Sequence, residues 1–237
     1  MCDHCGCGAP QPHDHPHAHG AGHGHPPPTR SVDVRKPALE LNQRFADQNR
    51  GWFRAQGLKT FNLLSSPGSG KTALLERTLR ALPRAAAIVG DLQTENDADR
   101  LRAAGAQAIQ IVTGATCHLD AHMVAHALER LDATGLDVLF IENVGNLVCP
   151  ASYDLGEDKR VVLLSVTEGE DKPLKYPVIF RRADLVVVSK IDLAEAVGFD
   201  RAKAWAAIRQ TAPHAEILET SAKTGAGFDA WLAWLAR

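Results

Sequence analysis

Eight residues, Ser65-Ser66-Pro67-Gly68-Ser69-Gly70-Lys71-Thr72, spell a loop able to hold a polyphosphate. Gly68, Ser69 and Gly70 are small enough to let backbone N–H groups converge on phosphate oxygens, and the helix expected after them adds its positive end. Lys71 places a point charge between the outer phosphates, and Thr72 offers a hydroxyl to Mg2+. The usual pattern opens with glycine, and Ser65 stands there instead.

Base choice is written in Ser189-Lys190-Ile191-Asp192. The Asp192 carboxylate can accept both N–H donors on the edge of guanine, whereas adenine would leave it unpaired at a cost of about 1–3 kcal/mol. Lys190 would lay its stem along the base. The stretch resembles the Asn-Lys-x-Asp signature of GTPases, with serine replacing asparagine, and Ser221-Ala222-Lys223 resembles their next guanine-contacting loop. Alone, Ser-Lys-Ile-Asp could be a capped helix start, a reading that the order and spacing of the three elements disfavour. Glu142, in Glu142-Asn143-Val144-Gly145, and Asp91 each follow an apolar run. Both are candidates to lie near magnesium, since strand carboxyl ends in such sheets face the ligand; either could instead cap a helix. Gly145 is a candidate N–H donor to a γ-phosphate. Catalysis, with Lys71, Asp91 and Glu142 in play, would be positioning and charge stabilisation. No activating arginine is identifiable, so slow turnover is expected.

A second chemistry belongs to soft metals. Cys2, Cys5 and Cys7 can wrap one ion in thiolates, with the amine of Cys2 as a fourth ligand if Met1 is removed. His13, His15, His17, His19, His23 and His25 follow, a tract suited to buffering metal. A disulfide knot, a zinc knuckle and an expression tag are the competing explanations. Further on, Cys117-His118 precede His122 and His126 at four-residue steps, which would share one helix face. Cys117, His118 and Cys149 are three soft ligands, one short of a tetrahedron that water, a histidine such as His122 or a second subunit could complete. Nickel and zinc both accept this donor set. Glu142 and Cys149 are seven residues apart, at most about 25 Å when extended. A loop tightening on a γ-phosphate would therefore move a metal ligand, which couples the two affinities.

The elements required to place these groups are legible as apolar runs. Strands are predicted at 58–64, 85–90, 108–112, 137–141, 161–166, 185–189 and 216–219. Helices are predicted at 37–56, 72–82, 119–132, 200–211 and 227–236. Their alternation predicts an α/β fold of the P-loop NTPase kind, a mainly parallel sheet covered by helices on both faces. Residues 1–31 have almost no large apolar side chains and are expected to be a disordered metal-binding tail ahead of a GTPase domain at 32–237.

Composition narrows the partners. Of 237 residues 45% are hydrophobic, enough for a core, and the net charge of −2 argues against nucleic-acid and membrane-surface partners. No apolar run is long enough to cross a bilayer. The N-terminus lacks the basic start and apolar stretch of a secretory signal. A cytoplasmic location is expected, where reduced cysteines suit metal ligation.

Taken together, Cys2-x-x-Cys5-Gly6-Cys7, the histidine tract, Asp91-Leu92-Gln93-Thr94, Thr116-Cys117-His118-Leu119-Asp120, the segment from Glu142 to Pro150, and Glu168-Gly169-Glu170-Asp171-Lys172-Pro173 resemble the hydrogenase nickel-incorporation GTPases, the HypB family. The resemblance runs through essentially the whole chain. It implies a GTP-dependent homodimer that helps insert nickel into the [NiFe]-hydrogenase large subunit, GTP/GDP with Mg2+ at the nucleotide site, Ni2+ or Zn2+ at Cys117, His118 and Cys149, and HypA as a partner metallochaperone. Three other readings compete: a nickel store with a vestigial nucleotide site, a urease nickel GTPase, and a small-molecule kinase sharing the phosphate loop.

Overall fold

The computed structural model describes residues 35–92 and 96–237. The tail with Cys2, Cys5 and Cys7, the expected start of folding near Val32, and Gln93 and Thr94 lie outside the described residues. Helix α1 (Arg35–Gln56) buries Asn42, Ala46, Asn49 and Phe53, a stripe at helical spacing. After it come β1 (Lys59–Ser65), α2 (Lys71–Ala81), β2 (Ala85–Asp91), α3 (Asn96–Ala103), β3 (Gln107–Val112), α4 (Ala121–Leu128) and β4 (Val138–Glu142). The second half holds β5 (Lys159–Ser165), α5 (Lys172–Lys175), α6 (Pro177–Arg181), β6 (Leu185–Ser189), α7 (Arg201–Thr211), β7 (Glu216–Thr220) and α8 (Phe228–Leu235).

The seven strands form one parallel sheet in the order β3-β2-β4-β1-β5-β6-β7. All seven expected strands are present, within two residues at each end. Parallel sheets are buried on both faces, which explains the unbroken apolar runs. Alternation then divides the side chains: Leu185 and Val187 face a core with α2, α3 and α8, while Val186 and Val188 face α6 and α7. Phe53, Val124 and Leu128 fill a third cluster beneath α1 and α4. Trp231 is fully buried and donates its indole N–H to Thr78 Oγ1 at 2.9 Å, fastening α8 to α2. Aromatic burial of this kind contributes about 25 cal/mol per Å2, and it steadies the helix that opens with Lys71.

Two differences from the sequence reading matter. Helix α4 starts at Ala121, not 119, because Asp120 caps it, accepting the Met123 N–H at 2.8 Å. It ends at Leu128, where Arg130 reaches the Gln110 carbonyl at 3.0 Å and Leu131 turns into the core. The short helices α5 and α6 were not expected; each carries proline in its first turn, which suits a helix start. Among the described residues no helix is long and apolar enough to cross a membrane.

Candidate nucleotide and metal site

Ser65, Asp91, Glu142, Ser189 and Thr220 end β1, β2, β4, β6 and β7, so the predicted groups gather at one edge of the sheet. The topology changes direction around β1, where ligands of open α/β sheets bind. Gly70 turns the chain into α2 with φ +95°, a conformation glycine adopts without strain. Ser69 Oγ donates to the Ser66 carbonyl at 2.8 Å and also meets the Glu168 carboxylate.

Lys71 is buried, and its Nζ donates to Ser65 Oγ at 2.9 Å. The serine in place of the usual glycine thus supplies a partner for the lysine. Burial lowers the Lys71 pKa, opposed first by Glu142 and then by Asp97, Glu168 and Asp91. Thr72 Oγ1 donates to Glu142 Oε1 at 2.8 Å. Glu142 is 4% exposed, and burial pushes its pKa up to about 7 despite Lys71 and the Thr72 hydroxyl. Its Oε2 and the Ser66 hydroxyl are buried without hydrogen-bond partners. A carboxylate oxygen and a hydroxyl left unpaired beside a phosphate loop suit Mg2+ and phosphate. Asp91 is half-buried, and its Oδ1 accepts the Leu92 N–H at 2.6 Å. Gly145 lies directly on the phosphate loop: a Cβ there would stand 2.9 Å from Pro67 Cα.

At the base-binding side, Ser221 Oγ donates to Asp192 Oδ1 at 2.6 Å and so fixes the carboxylate. Lys190 takes the left-handed conformation at φ 58° and donates to the Gly68 carbonyl at 2.6 Å. Ser189 donates to the Ser69 carbonyl at 2.7 Å. The serine that replaces the signature asparagine therefore joins the base loop to the phosphate loop. Ala222 accepts Arg77 Nη1 at 3.2 Å through its carbonyl.

The soft ligands converge separately. Ligand atoms of Cys117, His118 and Cys149 lie within 4.8 Å of one another, all half-buried. The His118 ring packs 4.0 Å from Tyr153, and its Nδ1 is buried without a hydrogen-bond partner. Burial lowers the His118 pKa, Asp120 opposing, which favours the neutral imidazole a metal requires. His122 is not brought into this cluster. Because α4 begins at Ala121, His118 lies ahead of the helix, and the face shared by 118, 122 and 126 does not exist; His122 turns to His126 instead.

Nucleotide and metal groups share the exit from β4. Buried Asn143, next to Glu142, accepts the Leu119 N–H at 3.0 Å on its Oδ1, two residues beyond Cys117. The Leu119 side chain fills the space over Gly90, where a Cβ would come within 2.7 Å. Sequence reasoning missed Asn143, Ser65, Asp97, Glu168 and Tyr153. Asn143, Ser65 and Glu168 carried a signal, since each stands inside a stretch the sequence singled out, whereas Asp97 and Tyr153 carried none. A cavity of about 630 Å3 opens at the opposite end of the sheet, between Lys59, His214 and Trp234. Its Lys159 is paired with Asp184 and its Arg237 with Glu216, so it does not duplicate the phosphate loop.

The parallel sheet, the phosphate loop at the end of β1 and the paired Thr72 and Glu142 define a P-loop nucleotide-binding protein. Residues 59–219 match the CobW/HypB/UreG nucleotide-binding domain family. The hydrogenase maturation factor HypB of Azotobacter vinelandii is 52% identical over 212 residues, spanning 88% of this chain and 70% of that protein. HypB of Escherichia coli K12 is 52% identical over 209 residues, spanning 87% and 72%. The crystal structure of Helicobacter pylori HypB in complex with nickel superposes with a TM-score of 0.80 at 42% identity, covering 83% of this chain and 94% of that one. The Archaeoglobus fulgidus HypB structure gives 0.77 at 45% identity, covering 83% and 98%. The chain belongs to the HypB family of hydrogenase maturation factors.

Proposed function

We propose that this chain is a cytoplasmic GTPase that couples its nucleotide state to nickel delivery during [NiFe]-hydrogenase maturation. GTP sits on the loop from Gly68 to Thr72, with guanine read by Asp192, Lys190, Ser221 and Ala222. Thr72 and Glu142 hold Mg2+, with Asp91 nearby, and Lys71 and the Gly145 N–H stabilise charge on the γ-phosphate. Slow hydrolysis is expected, because no activating arginine is identifiable among the described residues. Cys117, His118 and Cys149 hold the nickel cargo or zinc, and the tail thiolates Cys2, Cys5 and Cys7 hold a further ion. Three ligands leave one position for a second copy of the chain, consistent with a GTP-dependent homodimer. HypA and, directly or indirectly, the hydrogenase large subunit are the partners.

The observation that carries this reading is the pair of bonds flanking the end of β4. Glu142 accepts Thr72 on the nucleotide side, and Asn143 accepts Leu119 on the metal side. On this reading a shift of Glu142 on nucleotide exchange would be passed to the adjacent Asn143, which offers the coupling a contiguous route. GTP hydrolysis by the full chain and by Lys71→Ala tests the enzymatic half. Loss of turnover in the variant supports it, and turnover unchanged by the substitution sinks it in favour of a metal store.

A further inference from the structure

Tyr153 adjoins two of the soft ligands. It closes the short 3-10 helix Cys149–Ser152 by donating its N–H to the Pro150 carbonyl at 3.3 Å. Its ring packs on the His118 ring, with centroids 4.0 Å apart and planes tilted by 34°. Its carbonyl accepts Arg160 Nη2 at 2.9 Å. Arg160 Nε in turn donates to Glu157 Oε1 at 2.6 Å, and only 12% and 3% of these two side chains are exposed. We infer that Tyr153 is a positioning residue for the metal cluster. Its ring orients the His118 imidazole, and the Arg160–Glu157 pair, acting through the Tyr153 carbonyl, fixes where the Cys149 helix ends. The inference rests on the reading of Cys117, His118 and Cys149 as a metal site.

A buried ion pair is weak evidence of stability. Desolvation offsets much of its attraction, and apolar replacements of similar volume are often neutral or better. What an arginine provides is direction: its donors share one plane, so the bond to Glu157 through Nε sets where Nη2 points. Here it points at one carbonyl of the metal loop. Glu157 is itself held, its Oε2 accepting the Leu155 N–H at 2.7 Å and its Oε1 also accepting Asn62 Nδ2 from β1 at 3.1 Å. The next residues are tied to α1. Arg50 Nη2 meets both Asp154 carboxylate oxygens, at 2.9 and 2.7 Å. Asn42 Nδ2 donates to the Asp154 carbonyl at 2.8 Å, and Asn49 Nδ2 to the Leu155 carbonyl at 3.1 Å. Tyr153 is therefore presented from a backbone braced by α1, β1 and β5.

His118 has need of such a support. Its Nδ1 is buried without a hydrogen-bond partner. The Tyr153 ring is the aromatic contact that sets its plane, because an imidazole against an aromatic ring keeps to the few offset or tilted arrangements. Groups that orient a metal ligand from outside the coordination sphere are typically worth about 10–100-fold in metal affinity.

The test uses the full-length chain carrying Cys2, Cys5 and Cys7→Ser, so that nickel–thiolate absorbance and circular dichroism report on the cluster alone. Nickel is titrated against a competing chelator, with Cys117→Ser as the control. Tyr153→Leu should bind nickel about 10–100-fold more weakly and with an altered thiolate spectrum. Tyr153→Phe keeps the ring and should match the parent chain. Glu157→Gln combined with Arg160→Met removes both charges and keeps an acceptor for the Leu155 N–H; it should weaken nickel in the same range. GDP affinity of the metal-free protein should be unchanged in all three, which separates a misplaced ligand from a damaged domain. Parent affinity and spectrum in Tyr153→Leu, equal losses in Tyr153→Phe and Tyr153→Leu, parent affinity in the double variant, or GDP binding falling together with nickel would each overturn the proposal. Thiolate absorbance undiminished in Cys117→Ser would instead remove the metal reading of the cluster, and the proposal with it.

Discussion

Replacing Gly145 by alanine tests the γ-phosphate contact. The added Cβ would stand 2.9 Å from Pro67 Cα, 3.0 Å from Pro67 N and 3.2 Å from Pro67 Cγ. Ordinary contact begins near 3.4 Å, so the two segments must part by roughly half an ångström. The first two obstructing atoms are phosphate-loop backbone, which cannot rotate aside as a side-chain tip would. Overpacking of this kind costs about 1–3 kcal/mol. If Gly145 approaches the loop to meet a γ-phosphate, the strain falls on the GTP state and is relieved with GDP by withdrawal of the segment. Affinity for a non-hydrolysable GTP analogue should therefore fall about 5–150-fold, the equivalent of that energy, with GDP affinity nearly unchanged. Competition against a fluorescent guanine nucleotide measures both, and thermal unfolding checks the fold. Equal losses for the two nucleotides, or none for either, would refute the reasoning.

Three further outcomes follow from the same geometry. Glu142 has a folded pKa near 7 against an ordinary 4.5, so its contribution to stability is complete below about pH 4.5 and lost as pH rises through 7. That difference is about 3 kcal/mol, and urea unfolding of the nucleotide-free protein from pH 5 to 8 should show Glu142→Gln gaining on the native chain as pH rises; parallel curves contradict it. Asp192→Asn removes the carboxylate fixed by Ser221 and should cost about 1–3 kcal/mol of GDP affinity and narrow the preference over ADP; an unchanged preference refutes the base assignment. Asn143→Ala leaves the Leu119 N–H without its partner, which should cost about 1–3 kcal/mol of stability. It should also abolish any nucleotide effect on nickel binding, measured by titration with each nucleotide.

The strands were legible because a doubly covered parallel sheet leaves no polar face: 85–90 and 185–189 read as strands from apolar content alone. The phosphate loop was legible because its chemistry is local, eight consecutive residues between a strand and a helix. The meeting of Cys117 with Cys149 was not set by spacing. It follows from β4 lying beside β2, which brings the loops after β3 and β4 together. Ser65 as the partner of Lys71 was hidden for a similar reason, since its hydroxyl acts through space. The place of His122 turned on one capping residue. Extending a helical period back through Asp120 put His118 and His122 on a common face, and the Asp120 cap starts the helix after His118. The segment 172–181 gave too few apolar positions to show a period, and its prolines mark starts only once the helices are known.

The coupling of nucleotide to metal is tested most directly by titrating nickel into the chain carrying Cys2, Cys5 and Cys7→Ser. Thiolate absorbance at Cys117 and Cys149 would be followed once with GDP and once with a non-hydrolysable GTP analogue. The two affinities should differ by about 5-fold or more, as a coupling of 1 kcal/mol or above requires. Identical affinities, with both nucleotides demonstrably bound, would contradict the account.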